Sequence, residues 1–330
     1  MGSLSLLAAI GLAAFVASCL GTRVLVAVLR RRAVLDRPNE RSSHVAPTPR
    51  GGGIAVISVS VAAWFALAAT AIAPTNAIIA ALAAAALALV SWFDDLRGLS
   101  PGVRLLAQFA AVAIGIWALP RGAIFQGWLP PGLDTVAGAL VWVWFVNLFN
   151  FMDGIDGIDG SEAAAVSIGI VLVASVGGID LGIAAPAVAA AAAAAGFLLW
   201  NWAPARIFLG DVGSIPLGYL LGFLLFELAL RGQWQAALIL PLYFLADASL
   251  TLLRRLLRGE RVWQAHREHF YQRAVQRGLS HDAVVLRVIA ADIVLIACAW
   301  TAAKGWGFAG LSVAVATVLA LLVELGRSRR

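Results

Sequence analysis

Apolar residues in this chain gather into long runs, and polar residues are confined to the stretches between them. Eleven runs can be drawn, at about 4–29, 53–73, 76–93, 104–120, 135–150, 163–179, 182–200, 214–230, 235–253, 283–302 and 307–325. Most lie near or above the ~18–20 residues that a helix needs to cross a bilayer core. The pattern predicts an all-α, polytopic integral membrane protein of about 11 transmembrane helices (10–11), built as a single domain over residues 1–330. The first run has no basic residue before it and Arg30-Arg31-Arg32 after it. That predicts an uncleaved first helix with its N-terminus outside, on the periplasmic side. Of the 24 Lys and Arg residues, the outside connections then keep only Arg121, Arg231 and Lys304. So strong an asymmetry is the positive-inside pattern, and it sets the orientation.

Composition agrees with the periodicity. The chain has 330 residues, is 62% hydrophobic and 13% charged, and has a mean hydropathy of +0.90. A water-soluble surface could not absorb that much apolar area. The two cysteines, Cys19 and Cys298, lie inside apolar runs and give neither a disulfide framework nor a metal-ligand spacing. The net charge of +6 would suit nucleic acid, but the arginines sit in loops between spans, so no nucleic-acid partner is expected. Several of the 12 tryptophans lie near run ends, as interfacial anchors do.

Nearly all the distinctive polar chemistry falls in five connections assigned to the inside. The densest is Asn147-Leu-Phe-Asn-Phe-Met-Asp-Gly-Ile-Asp-Gly-Ile-Asp-Gly160. It sets Asp153, Asp156 and Asp159 three residues apart, each followed by glycine, directly after an apolar span. Charges beside a membrane span are costly and suggest function. Glycine lets the backbone turn tightly and approach a ligand closely. Hard oxygens on such a turn suit Mg2+ or the hydroxyls and amides of a polar substrate. Asp94-Asp95 ends another apolar run without a break. Adjacent carboxylates repel, so the pair reads as a general base, a divalent-metal site, or a helix-end pair partnered by Arg97. Phe208-Leu-Gly-Asp211-Val-Gly-Ser214 places an acid between glycines just before a span, where it reads as a metal ligand or as a helix cap. Asn201 precedes it. The last inside loop, Arg254 to Asp282, carries Arg254, Arg255, Arg258 and Arg261, then His266-Arg267-Glu268-His269. Two histidines underdetermine zinc, and the surrounding arginines favour a pyrophosphate clamp. Asp247 lies seven residues before Arg254 on one helical face, and an ion pair between them is expected. Acids, a divalent cation and a basic phosphate clamp on one membrane face are the requirements of phosphoryl transfer, with one substrate a lipid.

At this point the motifs resemble those of the polyprenyl-phosphate N-acetylhexosamine-1-phosphate transferases, the superfamily with WecA and MraY branches (glycosyltransferase family 4). Asp94-Asp95 resembles its paired aspartates. Asn147, Asn150 and Asp153-Gly-Ile-Asp156-Gly resemble its N-x-x-N-x-x-D-G-x-D-G motif. Asn201 with Phe208-Leu-Gly-Asp211-x-Gly-Ser214 resembles its Asn and F-M-G-D-x-G-S segment. The first loop, with Asp36, Pro38-Asn39, Arg41, His44 and Gly52-Gly53, is similar to the WecA branch. The resemblance implies transfer of a HexNAc-1-phosphate from a UDP-N-acetylhexosamine to undecaprenyl phosphate, releasing UMP, with Mg2+ or alternatively Mn2+. It implies Asp211 as principal metal ligand, with Asp94 and Asp95 as further ligands, and Asp94, with Asp95 beside it, to deprotonate or position the lipid phosphate. It implies Asn150, Asp153, Asp156, Asn201 and Phe208 around the uridine. His266, Arg267 and His269 would hold the diphosphate and sugar, with His44 nearby. A bacterial inner-membrane location with cytoplasmic catalytic loops, and assembly as a homodimer, belong to the same expectation.

The chain departs from the family pattern in three places. His266-Arg-Glu-His269 replaces a cluster of three histidines, which resembles the O-antigen-initiating branch that uses N-acetylfucosamine or N-acetylquinovosamine. Asp159 replaces a small residue. Thr48-Pro-Arg-Gly-Gly-Gly53 departs from the T-P-T-M-G-G of the phospho-MurNAc-pentapeptide transferases, the runner-up within the superfamily. A proton-coupled transporter, using intramembrane acids such as Asp247 and Asp292, is the alternative from a different class.

Overall fold

The computed structural model describes residues 2–36, 38, 46–178, 180–262, 264 and 266–327. In chain order these form α1 (Ser3–Arg31), β1 (Leu35–Asp36), β2 (Thr48–Pro49), α2 (Gly53–Ala69), α3 (Asn76–Arg97), α4 (Pro101–Ala118), α5 (Pro131–Met152) and α6 (Ile158–Ala174). There follow α7 (Leu181–Asn201), α8 (Asp211–Leu230), α9 (Trp234–Ile239), α10 (Leu242–Leu257), α11 (Phe270–Gln276), α12 (His281–Thr301) and α13 (Gly307–Gly326). The two short strands pair antiparallel, Leu35 opposite Pro49 and Asp36 opposite Thr48. The protein is an all-α polytopic membrane protein. Every predicted apolar run contains a helix, but the lengths differ from the expected eleven spans. Among the described residues, seven helical stretches are long and apolar enough to cross a membrane. One of them, His281–Gly326, is broken at Ala302–Trp306, where Gly305 takes a non-helical φ of +100°, and its halves α12 and α13 pack against each other. α2 and α6, at 17 residues each, are shorter.

The ninth run is not one helix. It breaks between α9 and α10 at Leu240-Pro241. Proline has no N–H to continue the ladder and its ring crowds the preceding turn. After the break α10 packs one face, with Tyr243, Phe244 and Ala248, against α5 and α13, and exposes Leu253, Leu256 and Leu257 beside Arg254 and Arg258.

α8 is the axis of the bundle. Every residue from Val212 to Ala229 is buried, so the helix is apolar all round, as a helix enclosed by neighbours must be. α2, α3, α5, α6 and α9 pack against it. Trp142 of α5 stacks on Tyr219 at 5.0 Å and on Phe226 at 5.2 Å, and its indole N–H donates to the Tyr219 carbonyl. The alanine-rich α7 lies between α1 and α6. Its small side chains bring backbones together: a Cβ on Gly196 would stand 2.5 Å from the Phe15 carbonyl oxygen. The outward faces of α1, α3, α4, α5, α12 and α13 expose Leu12, Leu89, Leu106, Leu140, Ile293 and Leu319. Such surfaces suit hydrocarbon.

The bundle has two chemically different ends. At one, the Asp134 carboxylate accepts the Ile124 and Phe125 amides, and Arg231 pairs with Asp180 and Glu227. Trp117, Trp128 and Trp306 are exposed there, as anchors at an interface are. Trp64 and Trp142, by contrast, are fully buried packing residues. The opposite end gathers the C-termini of α3, α5 and α7 and the N-termini of α2, α6, α8 and α12.

At that end α2 meets α8 glycine to glycine. A Cβ on Gly53 would lie 2.1 Å from the Gly213 Cα. We expect Gly53→Ala to lower stability by about 1–3 kcal/mol through overpacking, read as a drop in the thermal unfolding midpoint of the detergent-purified chain. An unchanged midpoint would contradict this contact.

Candidate active site

The site is built on a helix end that another helix caps. Asp95, in the last turn of α3, reaches the N-terminus of α8. Its Oδ1 accepts the Asp211 amide at 3.2 Å and its Oδ2 the Val212 amide at 2.9 Å. Gly210, with φ +76°, makes the turn, and a Cβ there would meet the Asp95 carboxylate at 2.9 Å. An anion on exposed amides at a helix start is favourable in both hydrogen bonding and dipole.

Two arginines hold the acids together. Arg50 Nη2 lies 2.8 Å from Asp95 Oδ1 and 2.6 Å from Asp211 Oδ1. Arg104, in the first turn of α4, lies 3.3 Å from Asp94 Oδ2 and 4.0 Å from Asp211 Oδ2. The other Asp94 oxygen accepts the Leu99 amide at 2.5 Å, closing the end of α3. Asp95 is 2% exposed at its side chain and Asp211 15%, so Asp211 is the more available to a ligand. Arg50 is brought in by its backbone. The Gly51 and Gly52 amides donate to the Phe208 carbonyl, Gly53 donates to Leu209, and the Phe208 amide donates to Pro49. The first loop thus lies beside the Phe208–Asp211 segment as a short parallel ladder.

The Asp-Gly stretch approaches from the other side. Asn150 Oδ1 accepts the Ser214 hydroxyl at 2.6 Å, tying α5 to α8. Burial pushes the Asp153 carboxyl up to about 7; Arg50 opposes this, while Asp211, Asp95 and Asp156 add to it. Asp156 Oδ2 accepts the Ala205 amide at 3.0 Å, and its own amide donates to His281 Nδ1 at 3.3 Å. Asn201 is buried and used at both ends: Oδ1 accepts from Gly157 and Nδ2 donates to the Ile207 carbonyl, each at 2.9 Å. It positions the turn.

The last loop adds a second cluster. His266 and His269 face each other with ring centroids 4.9 Å apart. Asp247 of α10 organises them. Its Oδ1 lies 3.1 Å from His269 Nδ1 and accepts the Phe270 amide at 3.0 Å, and its Oδ2 accepts the Tyr271 amide at 3.2 Å. The expected Asp247–Arg254 pair does not form. Asp247 faces inward to cap α11, a stronger demand on a buried carboxylate, and Arg254 lies over the Phe270 ring at 4.6 Å. Arg255 and Arg258, expected to hold phosphate, are paired here with Glu260 and Glu268. Tyr271 joins the clusters: its hydroxyl donates to the Phe151 carbonyl, and a Cβ on Gly154 would stand 2.2 Å from that oxygen. Arg267 lies in the same loop, and its carbonyl accepts from Gln276. His44 lies outside the described residues.

Residues 77–229 match the family described as glycosyl transferase family 4. Over 294 residues the chain is 26% identical to a probable undecaprenyl-phosphate N-acetylglucosaminyl 1-phosphate transferase of Bacillus subtilis, covering 83% of this chain and 79% of that one. It is 28% identical to a decaprenyl-phosphate N-acetylglucosaminephosphotransferase of Mycolicibacterium smegmatis, over 97% of this chain and 88% of the relative. It is 32% identical to a phospho-N-acetylmuramoyl-pentapeptide-transferase of Synechococcus elongatus, over 65% of this chain and 64% of the relative. The core of the chain, residues 77–229, belongs to glycosyl transferase family 4.

In this family 4 core the aspartates from α3 and α8 and the turn after α5 form a concentration of hard oxygen donors. Among the described residues no set of three His, Cys, Asp or Glu forms a closed metal cage. Two guanidinium groups stand between the carboxylates instead. The arginines supply the positive charge that acids this close require; the donor chemistry, adjacent carboxylate oxygens of Asp94 and Asp211, is the kind a hard divalent cation takes. Asp95, with both oxygens on α8 amides and Arg50, is the least available of the three candidate ligands. Asp94 and Asp211 each have fewer fixed partners.

Arg50, Arg104, His281 and Tyr271 were not singled out by sequence reasoning. Arg50 had a signal, a cation between Thr48-Pro49 and three glycines. Arg104 had one too, an arginine in the first turn of a helix begun by Ser100-Pro101. His281 and Tyr271 had none, because their partners are more than 100 residues away.

Two outcomes follow from the second cluster. Asp247→Ala leaves the Phe270 and Tyr271 amides buried without an acceptor, and we expect a loss of about 3–5 kcal/mol with faster tryptic cleavage between α10 and α12. Wild-type protease resistance would refute the capping role. Burial, with His269 and Arg255 adding to it, holds His266 down at about 4, against the opposing pull of Glu268 and Glu260. The unfolded chain therefore takes up this proton first as pH falls. Stability should be lost from about pH 6.5 downward toward 4, and His266→Gln should flatten that part of the thermal profile.

Proposed function

We propose that this chain transfers an N-acetylhexosamine-1-phosphate from a UDP-N-acetylhexosamine to undecaprenyl phosphate, giving undecaprenyl-diphospho-sugar and UMP. The observation that carries the proposal is the meeting of Asp94, Asp95, Asp153 and Asp211, from three separate elements, at one end of a bundle whose sides are apolar. A water-soluble anion can approach that end from solvent while a lipid phosphate approaches from the bilayer plane. The names of the relatives, which join a polyprenyl phosphate to an amino-sugar phosphate, support the same reading.

The reaction brings two anions together, so its barrier is chiefly electrostatic. A bound Mg2+ would neutralise the phosphate oxygens and polarise the phosphorus under attack. Asp211, with Asp94 and Asp95 beside it, would hold that ion. Arg50 and Arg104 stand where phosphate oxygens would need cations, and both can turn from carboxylate to phosphate. Asp94 is placed to orient the lipid phosphate. Asn150, Asp153, Asp156 and Phe208 would hold the uridine, with Asn201 fixing the Asp-Gly turn. His266, Arg267 and His269 border the space for the diphosphate and sugar.

We further infer eleven membrane crossings, with α9 and α10 as the two halves of the ninth, the N-terminus outside and the acidic end toward the cytoplasm. The lysine and arginine asymmetry and the tryptophans at the opposite end support this. A bacterial inner-membrane location and a role in starting an O-antigen or other envelope polysaccharide follow from it. The donor is of the GlcNAc, FucNAc or QuiNAc type. The phospho-MurNAc-pentapeptide reaction is the second reading, favoured by the identity to the Synechococcus relative, while Arg50-Gly51 in place of the Thr-Met of that branch speaks against it. Transport through Asp247 is disfavoured, because its carboxylate is fixed by two backbone amides.

Purified protein given Mg2+, undecaprenyl phosphate and a panel of UDP-HexNAc donors should release UMP with at least one donor. Asp211→Asn should cut that rate by about 100-fold or more, with the thermal midpoint near the wild-type value. No UMP from any donor would sink the proposal, as would full activity in the variant.

A further inference from the structure

One group of acids lies apart from the candidate site. Glu162 on α6 and Asp292 on α12 are 0% and 2% exposed, and their carboxyl groups face each other. Asp159, one turn earlier on α6 and 1% exposed, stands between Glu162 and Asp153. All six carboxyl oxygens of Asp159, Glu162 and Asp292 lack a donor among the described residues. Tyr243 of α10 lies within electrostatic range of Glu162, and Tyr271 of α11 within that of Asp159. Both hydroxyls are committed elsewhere, to Asp247 and to the Phe151 carbonyl. No arginine, lysine or histidine among the described residues forms an ion pair with any of the three acids.

Two ionised carboxylates cannot stay buried side by side without a cation or a donor. Side by side with a shared proton, they can: one carboxyl donates to the other. We propose that Glu162 and Asp292 form a buried proton-binding site in which one proton bridges α6 to α12. Both oxygen sets then find the partner that the rest of the fold withholds. The placement gives the bridge a purpose. α6 begins directly after the Asp-Gly turn, and α12 begins at His281, whose ring accepts the Asp156 amide. The two helices run the same way from that contact, and the shared proton fastens them about one turn into α6 and about three turns into α12. Glu162 and Asp292 are therefore positioning residues for the Asp156 turn.

The sign of the pH response is fixed by this picture. At neutral pH the folded chain keeps a proton that the unfolded chain, with ordinary carboxyls titrating at about pH 4, has already given up. Stability from the bridge is present at low pH and lost as pH rises. The test is infrared spectroscopy and thermal unfolding of the whole chain in lipid nanodiscs, from about pH 5 to about pH 9. We expect a protonated-carboxyl carbonyl band at neutral pH that loses one carboxyl's intensity in Glu162→Gln and in Asp292→Asn. The wild-type midpoint should fall as pH rises, and Glu162→Gln should flatten that fall, because an amide donates at every pH. Absence of the band in wild type at neutral pH would overturn the proposal without recourse to any variant. So would a band unchanged in both variants. A midpoint that rises with Na+ or Ca2+ at constant pH and ionic strength, and loses that response in Asp292→Asn, would assign the site to a metal cation instead. None of these readings depends on turnover.

Discussion

The structure depends on one carboxylate borrowed by one helix from another. α8 is buried along its length, so its first amides have no water to satisfy them. Asp95 of α3 satisfies two of them and is itself neutralised by Arg50. This single arrangement fixes the depth of α8 against α3, the direction of Asp211, and the path of the first loop. Gly53 and Gly213 then allow α2 to close on the same point. Remove the charge, and four segments lose their common reference.

The same device appears again at Asp247. There an acid from α10 caps the short α11 and holds His269. In both cases a buried charge is tolerated because backbone N–H groups and a neighbouring cationic or imidazole group surround it. α6 and α12 show the contrasting case, acids with no donors at all. The interior of this protein thus treats its carboxylates in two ways: some organise helix ends, and others face only each other.

Function follows from the geometry of ends. A helical bundle in a bilayer can vary its chemistry only where its helices stop, since mid-span polar groups are costly. Here the acids, the two bridging arginines and the histidine pair all lie at one end, and the sides remain apolar. Family 4 membership of the core and the concentration of oxygen donors are consistent with joining a lipid phosphate to a water-soluble donor at that boundary. The arginines between the acids supply the positive charge that carboxylates so close together require.

Much of this was legible in the chain. Long apolar runs determined the helices, since only a helix satisfies its own backbone in hydrocarbon, and the Asp-Gly, Asp-Asp and Gly-Asp-Val-Gly stretches marked the end where chemistry gathers. Sequence alone misjudged what depends on distance through space. It paired Asp247 with Arg254, when the carboxylate turns inward to amides more than 20 residues ahead. It drew one ninth span, although Pro241 divides it. It read Asp94-Asp95 as a pair without seeing that one closes its own helix and the other caps α8. Residue spacing determines which face a side chain occupies, but the partner on that face is chosen by packing, and only the tertiary structure supplies it.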